Sequence, residues 1–205
     1  MKILGIGKNY VTNKSEIANI KDGYQLIFLK ADSTLVTDNK DIKYPSDISD
    51  KVAYEVELVA KIGKAGKNIS ATEAASYISE FAIGIDFTAK NLITASKEKN
   101  HPWVFGKGFD GASPISNFKP ISDFPDLNDV NFDLKINGEL AQIGNTDFMI
   151  YSFGEILAYI SKYMTLNPGD LIFTGTPADG IGLINKGDHL QASIEGEVLL
   201  DFKMI

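Results

Sequence analysis

The stretch KVAYEVELVAKIGK, residues 51–64, alternates in the manner of a half-buried strand, and it places Glu55 and Glu57 two residues apart. On a strand, positions i and i+2 project from one face about 7 Å apart, so two carboxylates there repel each other unless a positive group lies between them. The reading of this segment as sheet sets the expectation for the rest of the chain. Similar short runs recur at KILGIG (2–7), YQLIFLK (24–30), FAIGIDF (81–87), NFDLKI (131–136), DLIFTG (170–175), DHLQASI (188–194) and EVLLDFKM (197–204). Asn137-Gly138, between two of these runs, is a strong hairpin signal, and Asn167-Pro168-Gly169-Asp170 breaks the chain before another.

Helical signals are fewer. Ser70-Ala71-Thr72-Glu73 has the form of a capping box ahead of Ala74, Ala75, Tyr77, Ile78 and Phe81. Ser152-Phe153-Gly154-Glu155 repeats the form ahead of Ile156, Leu157, Tyr159 and Ile160. A third, weaker helix is expected from Thr88 to about Lys97, and NFKPISDFPDLNDV (117–130) reads as a surface linker. Many strands with few helices among them, and no regular βαβ alternation, predict an α+β fold on mixed or antiparallel sheet. The 205 residues, 44% of them hydrophobic, suffice for one domain over 1–205.

Composition excludes several functions. A net charge of −7 without a basic cluster disfavours nucleic acid as a partner. The absence of cysteine removes disulfides, thiolate metal sites and thiol nucleophiles together. No apolar run approaches membrane-spanning length, and the opening MKILGIGKNY is too short in apolar residues for a signal-peptide core, so a cytoplasmic protein is expected. All 20 basic residues are lysine, so any anion is gripped by an ammonium point charge and not by a bidentate guanidinium fork.

Three features carry candidate chemistry. Asp86 ends the apolar run FAIGIDF, where an isolated charge is costly unless paired or bound to a cation. With Glu55 and Glu57 it makes an oxygen-only set that would select Mg²⁺, Mn²⁺ or Ca²⁺ over zinc. Lys107, in HPWVFGKGFD (101–110), lies between two glycines after Trp103 and Phe105; desolvation among these neighbours is expected to lower its pKa and suit it to oxyanion stabilisation or proton transfer. The glycine-rich FTGTPADGIG (173–182) lacks the Gly-Lys-Ser/Thr ending of a phosphate-binding loop, and His101 and His189 have no partner at a nucleophile motif.

Taken in order, GKNYVTNKSE (7–16), FLK (28–30), YEVELVAKIGK (54–64), DFTAKNL (86–92), PWVFGKGFD (102–110), INGELAQ (136–142), MIYSFGEILAYIS (149–161) and TLNPGDLIFTGTPADGIG (165–182) resemble the fumarylacetoacetate hydrolase family along nearly the whole chain. They resemble in particular its small single-domain members that act on acylpyruvates or oxaloacetate. The resemblance implies a mixed β-sheet roll or barrel-like core, a homodimer, and a divalent cation, usually Mg²⁺, held by Glu55, Glu57 and Asp86. It implies a catalytic lysine at Lys107 and substrate contacts from Lys90 and from Gly175 and Thr176 of the T-G-T-P loop. A small-molecule 2-oxo acid is the implied substrate, with C–C bond hydrolysis of an acylpyruvate as the default reaction.

Departures from the family pattern matter here. Hydrolytic relatives carry a histidine three residues before the glutamate of GKNYVTNKSE, and that pair activates water; this chain has Asn13 with Glu16 retained. An amide does not accept a proton near neutral pH, and loss of a positioned general base typically costs about 10²–10⁴ in rate. The family's glutamine after D-x-T-A is replaced by Ile93, thinning the polar lining, and lysine replaces arginine at positions 8 and 90. Decarboxylation or keto-enol isomerisation of a 2-oxo diacid, which needs no activated water, is therefore an alternative. A relative that binds metal and carboxylate without turnover is a second alternative.

Overall fold

The computed structural model describes all 205 residues. In chain order its first strands are β1 (Ile3–Gly7), β2 (Leu26–Lys30), β3 (Leu35–Val36), β4 (Val52–Tyr54), β5 (Val56–Ile62), β6 (Ile78–Ile85) and β7 (Thr88–Ala89). There follow β8 (Ser113–Pro114), β9 (Lys119–Pro120), β10 (Asn131–Ile136), β11 (Glu139–Asn145), β12 (Leu171–Phe173), β13 (Gly182–Ile184), β14 (His189–Ile194) and β15 (Glu197–Lys203). Helices are α1 (Ile17–Ile20), α2 (Lys90–Glu98), α3 (Val104–Lys107) and α4 (Phe153–Tyr163). The α+β class with mixed sheets is as expected.

The main sheet has the order β2-β1-β12-β5-β6-β9. Within it β1 and β12 run parallel, Ile3 opposite Leu171, while β12, β5 and β6 are antiparallel, with Phe173 opposite Val59 and Glu57 opposite Gly84. Smaller sheets are β11-β10-β14-β15, β13-β4-β7 and β3-β8. The segment 51–64 is thus two strands, with Glu55 in the break between β4 and β5. The break is fixed from across the sheet, since the Asp86 N–H donates to the Glu55 carbonyl at 2.8 Å.

β5 is central and covered on both faces, not half-buried as its alternation suggests. Val56, Leu58, Ala60 and Ile62 enter the large core, and Val59 enters a smaller cluster with Ile3, Ala82, Ile115, Leu171 and Phe173. Period-2 geometry puts Glu57 on the Val59 side, so a carboxylate stands in the sheet's interior face.

Local signals explain several elements directly. Asn137 (φ 54°) and Gly138 (φ 85°) both take the left-handed conformation that a two-residue type I′ hairpin requires, joining β10 to β11. The Ser152 box forms as read: Ser152 Oγ accepts from the Glu155 N–H at 3.4 Å, and the Glu155 carboxylate accepts from the Ser152 N–H at 2.9 Å. Phe153, Ile156, Leu157 and Ile160 of α4 then fall on one buried face.

The expected helix after Ser70 is a correction. Only a 3₁₀ turn, Ala74–Tyr77, forms, and β6 begins at Ile78. The eight residues ISEFAIGI gain more as the strand paired with β5, where Phe81, Ile83 and Ile85 are fully buried, than a helix would give them. Ser70 Oγ still donates to the Glu73 carboxylate at 2.9 Å, so the cap exists without its helix. Likewise the 117–130 linker contains a strand, because Lys119 and Pro120 pair with β6.

Candidate metal centre

The elements around the start of β5 bring the acidic trio together. One oxygen each from Glu55, Glu57 and Asp86 lies within 4.8 Å of the others. Glu57 comes from β5, Glu55 from the preceding break, and Asp86 from the residue after β6. Asp86 and Glu57 are fully buried, and Glu55 is partly exposed to the cavity.

Lys107, from the end of α3, reaches into this cluster. Its ammonium donates to Glu55 Oε2 at 2.7 Å, to Asp86 Oδ2 at 2.6 Å and to the Thr88 hydroxyl at 2.6 Å, and it lies over the Phe28 ring, 5.1 Å from the centroid. Burial pulls the Lys107 pKa down, but the Asp86 and Glu55 carboxylates more than reverse that pull. The expected lowering is therefore corrected to a rise: this lysine is held as a cation between the two carboxylates.

α3 can approach because Gly106 has no side chain, since a Cβ there would stand 2.5 Å from Ile93 Cδ1. Ile93 is thus the packing surface that seats the Lys107 helix, as well as an apolar wall of the cavity.

A second lysine, which the sequence reading did not assign, stands behind Asp86. Lys30, the last residue of β2, pairs with Asp86 Oδ1 and donates to the Ala112 carbonyl at 3.0 Å; its side chain has 0% exposure. Burial and then the opposing Asp86 charge dominate its titration, with a net lowering. Asp86 itself is pushed up by burial, yet Lys107 and Lys30 bring it below its ordinary value.

Glu57 has no ammonium in contact. Its Oε2 accepts the Gly175 N–H at 2.7 Å, and burial followed by the charges of Asp86 and Glu55 raises its pKa well above the usual range. Gly175 meets the requirement for this contact with φ +99° and a backbone packed so close that a Cβ would stand 2.8 Å from Asn9 Cβ.

The loop carrying Gly175 is braced from two sides. Asn9 is buried, donating to the carbonyls of Thr174 (2.9 Å) and Tyr151 (3.2 Å) and accepting from the Tyr151 N–H (2.9 Å). Gln142 of β11 accepts the Val56 N–H at 2.9 Å and donates to the Thr176 hydroxyl at 3.0 Å, tying β5 to the T-G-T-P loop.

These groups open on a cavity of about 580 Å³. Glu55, Glu57, Lys107, Thr88, Lys90 and Thr176 are among its polar lining, and Ile6, Leu26, Phe28, Ile93, Trp103 and Ile150 are among its apolar lining. Of the residues singled out in the sequence, the fold therefore gathers Glu55, Glu57, Asp86, Lys107, Lys90, Gly175 and Thr176 in one region. Asn13 and Glu16 are exposed and lie outside the lining. The Asn13 side chain is used locally, accepting from the Ser15 N–H at 3.0 Å and the Ser15 hydroxyl at 2.9 Å to cap the short 3₁₀ turn Lys14–Glu16.

Lys30, Thr88, Gln142 and Asn9 were not identified as site residues. A lysine closing the apolar run LIFLK, and the threonine inside DFTAK, were the available signals for the first two; nothing local marks Gln142.

The donor set fits a hard divalent cation: three carboxylates, no sulfur or imidazole, and a buried Glu57 whose charge no ammonium contacts.

The family model described as fumarylacetoacetate (FAA) hydrolase C-terminal matches residues 2–202. The chain is 35% identical over 202 residues to the mitochondrial oxaloacetate tautomerase of Mus musculus, covering 98% of this chain and 90% of that one. It is 37% identical over 196 residues to the mitochondrial oxaloacetate decarboxylase of Dictyostelium discoideum, covering 95% and 89%. The fumarylpyruvate hydrolase of Pseudomonas aeruginosa, solved with Mn²⁺ and pyruvate, superposes with a TM-score of 0.90 at 30% identity, covering 100% of this chain and 89% of that one.

Proposed function

The chain belongs to the fumarylacetoacetate hydrolase family, and on that footing we propose that it is a divalent-metal-dependent enzyme that enolises a 2-oxo diacid, by decarboxylation or keto-enol tautomerisation. The observation that carries the reading is the Lys107 ammonium held between Glu55 and Asp86 at the floor of the cavity. Glu55, Glu57 and Asp86 would hold the cation, with Mg²⁺ or Mn²⁺ fitting the oxygen donors best. When bound, the cation supplies a Lewis acid at the place where a 2-oxo group gains negative charge.

The chain's own residues do the rest. Lys90 and the Thr176 hydroxyl, both on the cavity lining, would receive a substrate carboxylate, beside the apolar side chains of Ile6, Leu26, Phe28 and Ile93. In decarboxylation the bond between C3 and the departing carboxylate breaks, and its electron pair becomes the enolate. Lys107 stabilises that charge and delivers a proton to C3, and solvent returns a proton to Lys107. Tautomerisation in the enol-to-keto direction passes through the enolate of the intact diacid: the enol hydroxyl gives its proton to solvent, Lys107 delivers one to C3, and no carbon is lost.

Hydrolysis of an acylpyruvate is the second reading, favoured by the likeness to the fumarylpyruvate hydrolase. It needs a base for water, and the exposed, cap-forming Asn13 with the exposed Glu16 supports that poorly. The test is a panel of oxaloacetate, acetylpyruvate and fumarylpyruvate with Mg²⁺. Oxaloacetate turnover is expected to exceed acylpyruvate cleavage by about 10²–10⁴, the usual worth of a general base. Faster acylpyruvate cleavage overturns the first reading in favour of the second. Thermal stabilisation by Mg²⁺ and oxalate with all three substrates intact overturns both, leaving a binding protein. The homodimer and the cytoplasmic location belong to the same proposal, the former checked by sedimentation.

A further inference from the structure

Asp86 is gripped on both oxygens by lysines that differ in freedom. Lys107 lines the cavity, so anything arriving from solvent meets it first. Lys30 does not line the cavity, has a fully enclosed side chain, and is anchored by the Ala112 carbonyl on the far side of Asp86. Its backbone is locked as well, since Lys30 closes β2 opposite Ile3 of β1. The grip of Lys30 on Asp86 Oδ1 is therefore built into the sheet, while that of Lys107 on Oδ2 faces the ligand.

Glu57 repeats the arrangement with a different donor. Its Oε2 is taken by the Gly175 N–H, leaving one oxygen without a protein partner. A carboxylate with one oxygen drawn to a fixed donor turns its other oxygen to a cation and is disfavoured as a bidentate chelate. Calcium takes 6–8 oxygens and commonly uses bidentate carboxylates, whereas Mg²⁺ needs six in a tight octahedron and is content with a few carboxylate oxygens plus substrate and water.

From this geometry we infer that Lys30 is a positioning residue that tunes metal selectivity: by holding Asp86 Oδ1 it biases Asp86 toward single-oxygen ligation, favouring Mg²⁺ and Mn²⁺ over Ca²⁺. The inference rests on the metal-dependent reading above and deepens it, moving the discrimination from the ligands to the buried cation behind them. Lys30 touches neither substrate nor metal in this role. It acts through Asp86.

The test is calorimetric titration of the metal-free full-length protein with Mg²⁺, Mn²⁺ and Ca²⁺, with melting temperature as a second readout, neither of which depends on turnover. Wild type is expected to bind Mg²⁺ and Mn²⁺ at least about tenfold more tightly than Ca²⁺, a difference of about 1.4 kcal/mol. Lys30→Met frees Oδ1 and is expected to erase that preference through a gain in relative Ca²⁺ affinity. Lys30→Gln, which retains an N–H donor without the charge, is expected to keep it, and decides the matter if the Met variant fails to fold.

Equal Ca²⁺ and Mg²⁺ affinity in the wild type, an unchanged preference in Lys30→Met, or its loss in Lys30→Gln overturns the selectivity role alone. Failure of the wild type to bind any of the three ions overturns the metal-dependent reading and this inference with it.

Discussion

Lys107→Met isolates the role of the ammonium bridge. The substitution keeps an unbranched apolar stem one atom shorter and removes three donated hydrogen bonds, to Glu55 (2.7 Å), Asp86 (2.6 Å) and Thr88 (2.6 Å). It leaves three carboxylates, two of them buried, within 4.8 Å of one another with Lys30 as the sole ammonium in contact. Removing one partner of a buried ion pair costs about 3–5 kcal/mol. For a chain of this length each kcal/mol moves the melting point by about 2–4 °C, so a fall of about 10 °C is expected in EDTA. A divalent cation at saturating concentration then supplies the missing charge. Because it no longer competes with an ammonium for Glu55 and Asp86, its stabilisation of the variant should exceed its stabilisation of the wild type; binding at a hundredfold over Kd is worth about 2.7 kcal/mol. Scanning fluorimetry of both proteins in EDTA and in excess Mg²⁺ gives all four values. A variant that melts with the wild type in EDTA, or gains no more from Mg²⁺ than the wild type does, refutes the placement of the ion among these carboxylates. Turnover of the variant, whether or not Mg²⁺ restores its stability, should fall about 10²–10⁴-fold for loss of the proton donor.

Three further outcomes follow from contacts described above. Gly106→Ala places a Cβ 2.5 Å from Ile93 Cδ1 and should cost about 1–3 kcal/mol by overpacking while displacing Lys107; combining it with Ile93→Ala should recover part of the loss in a double-mutant cycle, and strict additivity of the two would contradict the contact. Gln142→Leu orphans the Val56 N–H and releases the Thr176 hydroxyl, with an expected loss of about 1–3 kcal/mol measured by urea unfolding; a variant as stable as wild type would show that Gln142 is not the brace described. Asp170 is buried, which pushes its pKa up, but the Lys2 ammonium at 2.6 Å and the N–H groups of Lys2 (2.7 Å) and Asn167 (2.8 Å) bring it below its ordinary value. A carboxyl lowered in the native state stabilises above its unfolded pKa of about 3.9, and that stability is lost as pH falls through the native value. The melting-point gap between wild type and Asp170→Asn should therefore narrow from neutral to strongly acid pH, and a gap that widens would reverse the assignment.

Where a few adjacent residues decide the conformation, the sequence is a sufficient guide. Asn137-Gly138 and the Ser152 box act within one turn, and both form as their residue types dictate. The acidic trio was legible because a carboxylate in an apolar strand demands a partner wherever the strand lies. Other features depend on what arrives from elsewhere. The cap at Ser70 is real, but β5 draws Ile78–Ile85 into the sheet and leaves the cap a single turn. The Asn13 side chain is taken up by Ser15 within its own turn, a local use that its family position does not reveal. The sign of the Lys107 shift depends on carboxylates 52 and 21 residues away in the chain, which composition around Trp103 does not reveal.

The parallel pairing of β1 with β12 has a consequence for biogenesis. β12 lies between β1 and β5, so the N-terminal hairpin of β1 and β2 has no place in the sheet beside β5 until residues near 171–173 have been synthesised. Lys30 travels with that hairpin, and Gly175 follows β12 directly. A nascent chain on the ribosome thus exposes the open edges of β1 and β5 for most of its synthesis, and the carboxylates acquire their fixed donors only in its last stage.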